Sequence, residues 1–244
     1  MPTFQTEAIV IARTSYGEAD RILRLITPDH GKLSAIAKGV RRIKSRSGGH
    51  LELFSEVSLG LATGKNLQVV TSARMKWYPH LLAGDYERLG LAFMTASMID
   101  RLVEENHPQR DIYDVTREML HALEAGGEAT LAQLWFKLRL LELLGYRPEL
   151  RRCLGCGQHG ADAAYFFSPQ KGGLVCNVCH EATATSMSHA AIKLWRILSE
   201  HDFLAASQIG GAEAIARQSL SACDAFYEYH LGRSFSANPI GVSS

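Results

Sequence analysis

The 244-residue chain lacks several features that mark membrane, secreted or repetitive proteins. No run of about 18 apolar residues occurs, so no segment is expected to span a membrane. The first residues do not follow the basic-then-apolar order of a secretory signal, so we expect a cytoplasmic protein. There is no internal repeat and no low-complexity tract. With 46% hydrophobic and 21% charged residues, the composition is typical of a soluble protein of one to three domains.

The motifs of three enzyme classes are also missing or incomplete. The metalloprotease sequence His-Glu-x-x-His does not occur. Residues 60–66 are one residue short of a phosphate-binding P-loop and end in asparagine. Residues 50–52 match half of a zinc deaminase signature, but neither Cys-x-x-Cys pair follows a proline. We therefore predict a protein without catalytic activity.

Acidic residues are scarce in the first third of the chain. Residues 1–80 contain 12 lysines and arginines against 6 acidic residues, whereas residues 81–244 contain 14 against 19. The net charge of +1 hides this asymmetry. An anionic partner is therefore expected for the first part only.

Positive charge is most concentrated in residues 38–49, here called the basic loop, which contain no acidic residue. Its glycines and serines are typical of a flexible surface loop that can bind a phosphate backbone. The alternative is a solvated loop without a partner. The candidate nucleic-acid-binding residues in the loop are Lys38, Arg41, Arg42, Lys44 and Arg46. Neighbouring predicted strands add Arg21, Arg24 and Lys32.

Aromatic residues are few in the first 80 residues. They are Phe4, Tyr16, Phe54, Trp77 and Tyr78. Binding of single strands by stacking needs several exposed rings, and some of these five must fill the interior. We therefore expect binding that is mainly electrostatic, tolerant of base sequence, and similar for single and double strands.

The first 80 residues show the patterns of five short strands, at residues 8–12, 20–27, 32–40, 57–61 and 67–77. In the third, Leu33, Ala35 and Ala37 alternate with polar residues that include Lys32. Five short antiparallel strands in about 80 residues favour a small closed barrel such as the OB-fold.

Helical periodicity begins near residue 83, and one helix is predicted to start at Asp111 as N-cap. Residues 130–144 form a central helix by pattern, and later helices follow Ser188 and Gly211. The predicted fold is α+β, with a five-stranded OB-fold barrel followed by an α-helical domain that contains an inserted four-cysteine zinc module. The predicted segments are 1–80 (barrel), 81–150 (first helical part), 151–181 (zinc module) and 182–244 (second helical part).

Four of the five cysteines form two Cys-x-x-Cys pairs, Cys153 with Cys156 and Cys176 with Cys179. Their spacing predicts one tetrahedral Zn²⁺ held by four thiolates, a structural site without an open position. Two disulfides are the alternative, although that pattern belongs to small secreted domains. A histidine can also replace one cysteine, the candidates being His159, His180 and His189. A second basic cluster lies near these pairs and either extends the positive surface or is ordinary solvated charge: Arg147, Arg151, Arg152 and Lys171.

Several short motifs occur in an order that resembles the RecO family of bacterial recombination mediators. They are Tyr-Gly-Glu-Ala-Asp at 16–20, Thr-Pro-Asp-His-Gly at 27–31 and Lys-Gly-Val-Arg-Arg-Ile-Lys-Ser-Arg at 38–46. Leu-Gly-Tyr-Arg-Pro at 144–148 precedes the first cysteine pair, and Phe-Ser-Pro at 167–169 precedes the second. The resemblance covers essentially the whole chain.

The resemblance implies an N-terminal OB-fold, a helical domain, a zinc module and no enzyme activity. It implies binding of single- and double-stranded DNA, annealing of complementary strands, and a nucleoid-associated role. The partners implied are RecR, the C-terminal tail of single-strand-binding protein and, indirectly, RecA. The implied DNA contacts are the five cations of the basic loop, and the implied metal ligands are the four paired cysteines. An alternative is a zinc-stabilised protein-interaction adaptor without direct DNA binding.

Overall fold

The computed structural model describes residues 2–42, 45, 48–158 and 164–235. Contacts divide the chain into two compact units, one extending to Glu124 and the other beginning at Ala125. In its described residues, the first unit contains two α-helices in addition to the N-terminal strands. The division into four segments stays a prediction. None of the described helices is long and apolar enough to cross a membrane.

The first unit is built on a closed barrel, formed within the described residues by five strands. The strands are β1 (Thr3–Tyr16), β2 (Asp20–Thr27), β3 (Gly31–Ala37), β4 (Glu56–Ala62) and β5 (Gln68–Trp77). Their order around the barrel is β1-β2-β3-β5-β4, and β4 pairs with β1 to close it. Only β3 and β5 pair in parallel among these neighbours. This is an OB-like arrangement, so the predicted fold class is confirmed.

Alternation along the strands fills the barrel with aliphatic side chains. Leu23 and Leu25 of β2 face inward with Leu33, Ala35 and Ala37 of β3, and all five are at most 3% exposed. The inward face predicted for β3 is therefore confirmed. Burial of these side chains is the main favourable contribution to the stability of the barrel.

Two α-helices follow the barrel in the described part of the first unit. They are α1 (Tyr86–Leu102) and α2 (Arg110–Glu124), with short 3-10 turns at Gly48–His50 and Leu81–Gly84. The prediction of Asp111 as N-cap is wrong, because α2 begins at Arg110 and Asp111 lies in its first turn. A carboxylate in that position still interacts favourably with the positive end of the helix dipole.

The chain after α1 packs against the barrel at the turn before β3. The N–H of Asn106 donates to the carbonyl oxygen of Lys32 at 2.8 Å. Gly31 has φ +65°, and a Cβ there would lie 1.9 Å from the carbonyl oxygen of His107. Glycine is therefore required at position 31 both for the turn and for this close approach.

The second unit contains α3 (Ala129–Leu143), α4 (His189–Glu200), α5 (Phe203–Ser207) and α6 (Ala212–Leu231). Helix α3 packs against α4, α5 and α6, and Leu134, Trp135 and Leu138 on it are fully buried. The prediction that this helix is central is confirmed. The hydroxyl of Ser188 accepts the N–H of Ala191 at 3.1 Å, which confirms the cap at the start of α4.

The second unit also contains a small sheet that the sequence analysis did not predict. Its strands are β6 (Tyr165–Ser168), β7 (Gly173–Cys176) and β8 (Thr185–Met187), in the order β7-β6-β8. Phe167, Leu174 and Val175 are buried in it. The strands are only three or four residues long, too short for an alternating pattern to stand out in the sequence.

Candidate nucleic-acid interface and metal centre

The basic loop leaves the barrel at the end of β3. Lys38, Arg41 and Arg42 are exposed, and none of them forms an ion pair with another described residue. Lys44 and Arg46 lie outside the described residues. The first half of the loop therefore presents three cations whose charge no carboxylate of the described residues neutralises through an ion pair.

The tip of the β1–β2 hairpin, residues 16–20, holds this part of the loop. The N–H of Gly39 donates to Asp20 Oδ1 at 2.7 Å. The backbone N–H of Arg41 donates to the carbonyl oxygen of Ala19 at 2.9 Å. Arg41 Nη1 also donates to the carbonyl oxygen of Gly17 at 3.4 Å. The hairpin tip thus fixes the backbone from which Arg41 and its neighbours extend.

The sequence analysis gave Asp20 no role at this surface, although it belongs to the motif at 16–20. An aspartate is a frequent acceptor for backbone N–H groups in turns, and this was the available signal. Its partner Gly39 is 19 residues away, so only the fold identifies the hydrogen bond.

The chain beyond the basic loop returns to the barrel next to β1. Glu52 pairs with Arg13 and lies 3.7 Å from Arg21 Nη1. Phe54 is buried with φ +67°, and its N–H donates to the carbonyl oxygen of Val10 at 2.8 Å. Arg21, one of the predicted DNA contacts, is thus half-buried beside a carboxylate that partly offsets its charge.

Two other predicted contacts, Arg24 and Lys32, are engaged inside the first unit. Arg24 Nε lies 2.8 Å from Asp100 Oδ1, and its Nη1 lies 2.8 Å from Glu105 Oε1. Lys32 is 4% exposed, and its Nζ donates to the carbonyl oxygen of Asp100. Burial lowers the pKa of Lys32, and the charge of Asp100 opposes that change. We therefore remove both residues from the candidate interface, because their charged groups face protein acceptors.

The cations of the second basic cluster have acidic partners within their own unit. Each of the four lies within ion-pair distance of a glutamate, and the nearby negative charge lowers the positive potential there. The pairs are Arg147–Glu200, Arg151–Glu200, Arg152–Glu149 and Lys171–Glu181, at 2.9 to 3.6 Å.

The four paired cysteines converge on one point in the second unit. Their sulfur atoms all lie within 4.8 Å of one another, and Cys156 Sγ is 3.9 Å from Cys176 Sγ. A tetrahedron with metal–sulfur bonds of about 2.3 Å has sulfur–sulfur edges of about 3.8 Å. All four residues are free thiols, in contrast to the disulfide alternative. The cluster therefore has the ligand set and size to hold one metal ion.

Local backbone structure positions these sulfur atoms. The N–H groups of Gly155 and Cys176 each donate to Cys153 Sγ at 3.3 Å. A Cβ at position 155 would lie 2.5 Å from the Cβ of Cys179, so the first turn needs glycine there. Strand β7 ends at Cys176 and thus brings the second pair beside the first.

The pKa values of the four cysteines move in opposite directions: they are lowered for Cys153 and Cys176 and raised for Cys156 and Cys179. Burial raises the pKa of Cys153, but N–H donors from Cys156, Cys176 and Gly155 outweigh it and lower that pKa to about 6. The hydrogen bond with Cys176 raises the pKa of Cys179 to about 12. Four thiolates this close repel one another, and a divalent cation would remove that repulsion.

Histidine does not enter the cluster among the described residues. The Nδ1 of His180 lies 2.8 Å from the carbonyl oxygen of Asn177, and its ring stacks on Phe166 at 4.1 Å. The ring of His189 lies 6.1 Å from that of Tyr165. His159 lies outside the described residues.

Two family models match this chain and together cover almost all of it. The model described as Recombination protein O N terminal matches residues 1–77, which include the barrel. The model described as Recombination protein O C terminal matches residues 83–239. The chain belongs to the RecO family. Membership in RecO supports a role in DNA repair and recombination.

Individual relatives extend the match across most of their own length. A DNA repair protein RecO from Roseiflexus sp. (strain RS-1) is 37% identical, over 94% of this chain and 82% of the relative. One from Bifidobacterium adolescentis is 35% identical over 96% of each chain. One from Nocardioides sp. (strain ATCC BAA-499 / JS614) is 34% identical, over 94% of this chain and 95% of the relative.

Proposed function

We propose that the barrel binds the phosphate backbone of single- and double-stranded DNA through the basic loop. The observation that carries this proposal is the group of exposed cations Lys38, Arg41 and Arg42, without an ion pair to any described residue, on a loop held by the hairpin tip. Lys44 and Arg46 add two charges by sequence. Arg21 lies at the margin, where Glu52 weakens its attraction for phosphate.

Phosphate binding by this loop accounts for strand annealing without nucleotide hydrolysis. Two complementary strands repel each other through their phosphates, and a cationic surface that holds both lowers that repulsion while their bases stay free to pair. Five phosphate contacts give a slope of log K against log salt of roughly −4 to −5 on duplex DNA and about −3.5 on single strands. The chain then acts as a recombination mediator, and no catalytic step is required of it.

We also propose that the cysteine cluster holds one structural Zn²⁺. Four cysteines in two Cys-x-x-Cys pairs form a ligand set that zinc prefers, and four protein ligands leave no position for a reacting water. The ion would brace the small sheet of the second unit and would take no part in DNA binding.

The partners proposed for this chain are those that the RecO resemblance implies. They are RecR, the C-terminal tail of single-strand-binding protein and, indirectly, RecA, with the protein acting at the nucleoid. The family membership is the support for these partners.

The deciding experiment is charge reversal in the basic loop. Arg41→Glu combined with Arg42→Glu should abolish retention of a labelled oligonucleotide in fluorescence anisotropy at moderate salt. Lys193→Glu combined with Arg217→Glu, on the helices of the second unit, changes the net charge equally and should leave affinity unchanged. Equal affinity of the loop variant and the parent chain would overturn the proposal. If the parent chain itself does not bind DNA, and the loop variant still binds a protein partner, the result would instead indicate the adaptor.

A further inference from the structure

Aromatic side chains in and next to the barrel differ in whether their rings are already engaged. Phe4 packs against the core and lies 4.4 Å from the ring of His30. Phe54 is 3% exposed and lies edge-on to Phe93. A free ring must therefore be sought among the other three aromatic residues of the first 80.

Two of those three also have a ring partner. Trp77 stacks on His121 at 3.9 Å with an interplanar angle of 16°. Tyr78 lies edge-on to His80 at 4.9 Å. Tyr16 differs, because it is 56% exposed and no ring contact to it is found within the described part of the chain.

The free ring lies where the basic loop is attached. Tyr16 is the last residue of β1 and pairs with Asp20, which accepts the N–H of Gly39. The next residue, Gly17, supplies the carbonyl oxygen that accepts a hydrogen bond from Arg41. A phosphate bound by Arg41 would thus lie at the same hairpin tip as the exposed ring of Tyr16.

We infer that Tyr16 is a base-stacking residue for single-stranded DNA, next to the cations that bind its phosphates. This inference rests on the proposed function of the basic loop. A planar ring accepts any base, whereas the bases of a duplex are already stacked on one another and are not available to it. Tyr16 therefore gives the surface a preference for single strands, which the composition of the barrel alone did not indicate.

The charges around Tyr16 do not produce that preference. Glu18, exposed at the same hairpin tip, repels phosphates of single and double strands alike. The carboxylate of Asp20 is engaged with Gly39. Glu18→Gln should therefore raise the affinity for both forms of DNA, which separates an effect of charge from an effect of stacking.

The test compares Tyr16→Ala with Tyr16→Phe on a single-stranded oligothymidine and on a blunt duplex of equal length. Tyr16→Ala should weaken single-strand binding by roughly 5- to 100-fold and leave duplex binding unchanged, while Tyr16→Phe should retain both. The matched control is Tyr86→Ala, which removes an 82% exposed tyrosine from α1 and should change neither. Thermal unfolding of each variant checks that the fold is intact.

Fluorescence provides a second, independent test of stacking. The emission of Tyr16→Trp, measured as a difference from the parent chain, should be quenched by oligothymidine and not by the duplex. If Tyr16→Ala weakens the binding of single-stranded and duplex DNA equally, or weakens neither, the inference is overturned. If Tyr16→Ala binds normally while reversal of Arg41 and Arg42 abolishes binding, stacking is excluded and phosphate binding stands. If neither change has an effect, both proposals fail.

Discussion

Environment decides the role of each cation in the first unit more than residue type does. Arg42 and Lys32 carry the same formal charge, yet Arg42 is exposed and Lys32 is 4% exposed. Arg24 is half-buried between two carboxylates. A cation already bonded to protein acceptors must break those bonds before it binds phosphate, and this cost removes most of the gain.

Lys32→Met provides a prediction for a single residue. DNA affinity should stay within about twofold of the parent chain, since the Lys32 ammonium faces Asp100 inside the protein. The pKa of Lys32 is lowered in the folded state, so the unfolded chain binds more protons between that pKa and 10.5. The free energy of unfolding should therefore rise with pH across that window in the parent chain. Urea unfolding at several pH values should show a smaller rise in the variant. A large loss of DNA affinity in Lys32→Met would contradict the removal of Lys32 from the candidate interface.

At the scale of elements, the hairpin tip and the basic loop act together. A loop rich in glycine and serine loses considerable conformational entropy when it binds a ligand. The hydrogen bonds from Gly39 and Arg41 to the hairpin tip fix part of that loop in advance of the proposed DNA binding. Such preorganisation increases affinity without adding a contact to DNA.

Asp20→Ala tests this coupling. The variant leaves the N–H of Gly39 without its acceptor, and affinity for DNA should fall by roughly 3- to 10-fold. Asp20→Asn keeps an acceptor oxygen but removes the charge, so its affinity should equal or exceed that of the parent chain. The slope of log K against log salt should be unchanged in both variants, because the number of phosphate contacts is the same. Equal affinities of the two variants would argue against a positioning role.

The cysteine cluster gives a second prediction for an element. Elemental analysis should find about one zinc per chain, and a strong chelator should remove amide protection from β6–β8 while β1–β5 stay protected. Zinc contributes roughly 10–16 kcal/mol to the folding of isolated zinc fingers, far more than three short strands supply. Cys176→Ser should reproduce the effect of the chelator, with Cys223→Ser as the control. Metal-free protein with unchanged hydrogen exchange would contradict the zinc assignment.

For the whole molecule, the distribution of charge favours the proposed DNA binding at one end of the chain only. The first 80 residues carry a twofold excess of basic over acidic residues, and the rest of the chain is acidic. The four cations near the cysteines are paired with glutamates. These pairs lie on the second unit, where residues 125–236 contain equal numbers of basic and acidic residues, so no excess of positive charge attracts a polyanion there.

Photo-crosslinking to an oligonucleotide gives the prediction at this scale. Crosslinked peptides should come from residues 1–80, with the largest yield around the basic loop. Peptides that contain Arg151 or Lys171 should be absent at moderate salt. Comparable crosslinking at both ends of the chain would show that the ion pairs open for DNA and that the surface is larger than proposed.

Local patterns in the sequence anticipated the fold well. Alternation in β3 identified Leu33, Ala35 and Ala37 as its inward face, because the side-chain period of a strand is two. Periodicity likewise identified α3 as the central helix. The sheet β6–β8 was missed, because its pairing depends on contacts between segments that are each too short to show a pattern.

The amino-acid sequence by itself determined the strand and helix periods, the spacing of the cysteine pairs and the excess of positive charge at one end. Each of these depends on residues close together in the chain. Only the tertiary structure decided which of the described cations remain free, because Arg24 and Lys32 meet acceptors near residue 100, about 70 positions away. It also brought Arg41 to Gly17, the residue that follows Tyr16, since hydrogen bonds depend on distance in space and not on order along the chain.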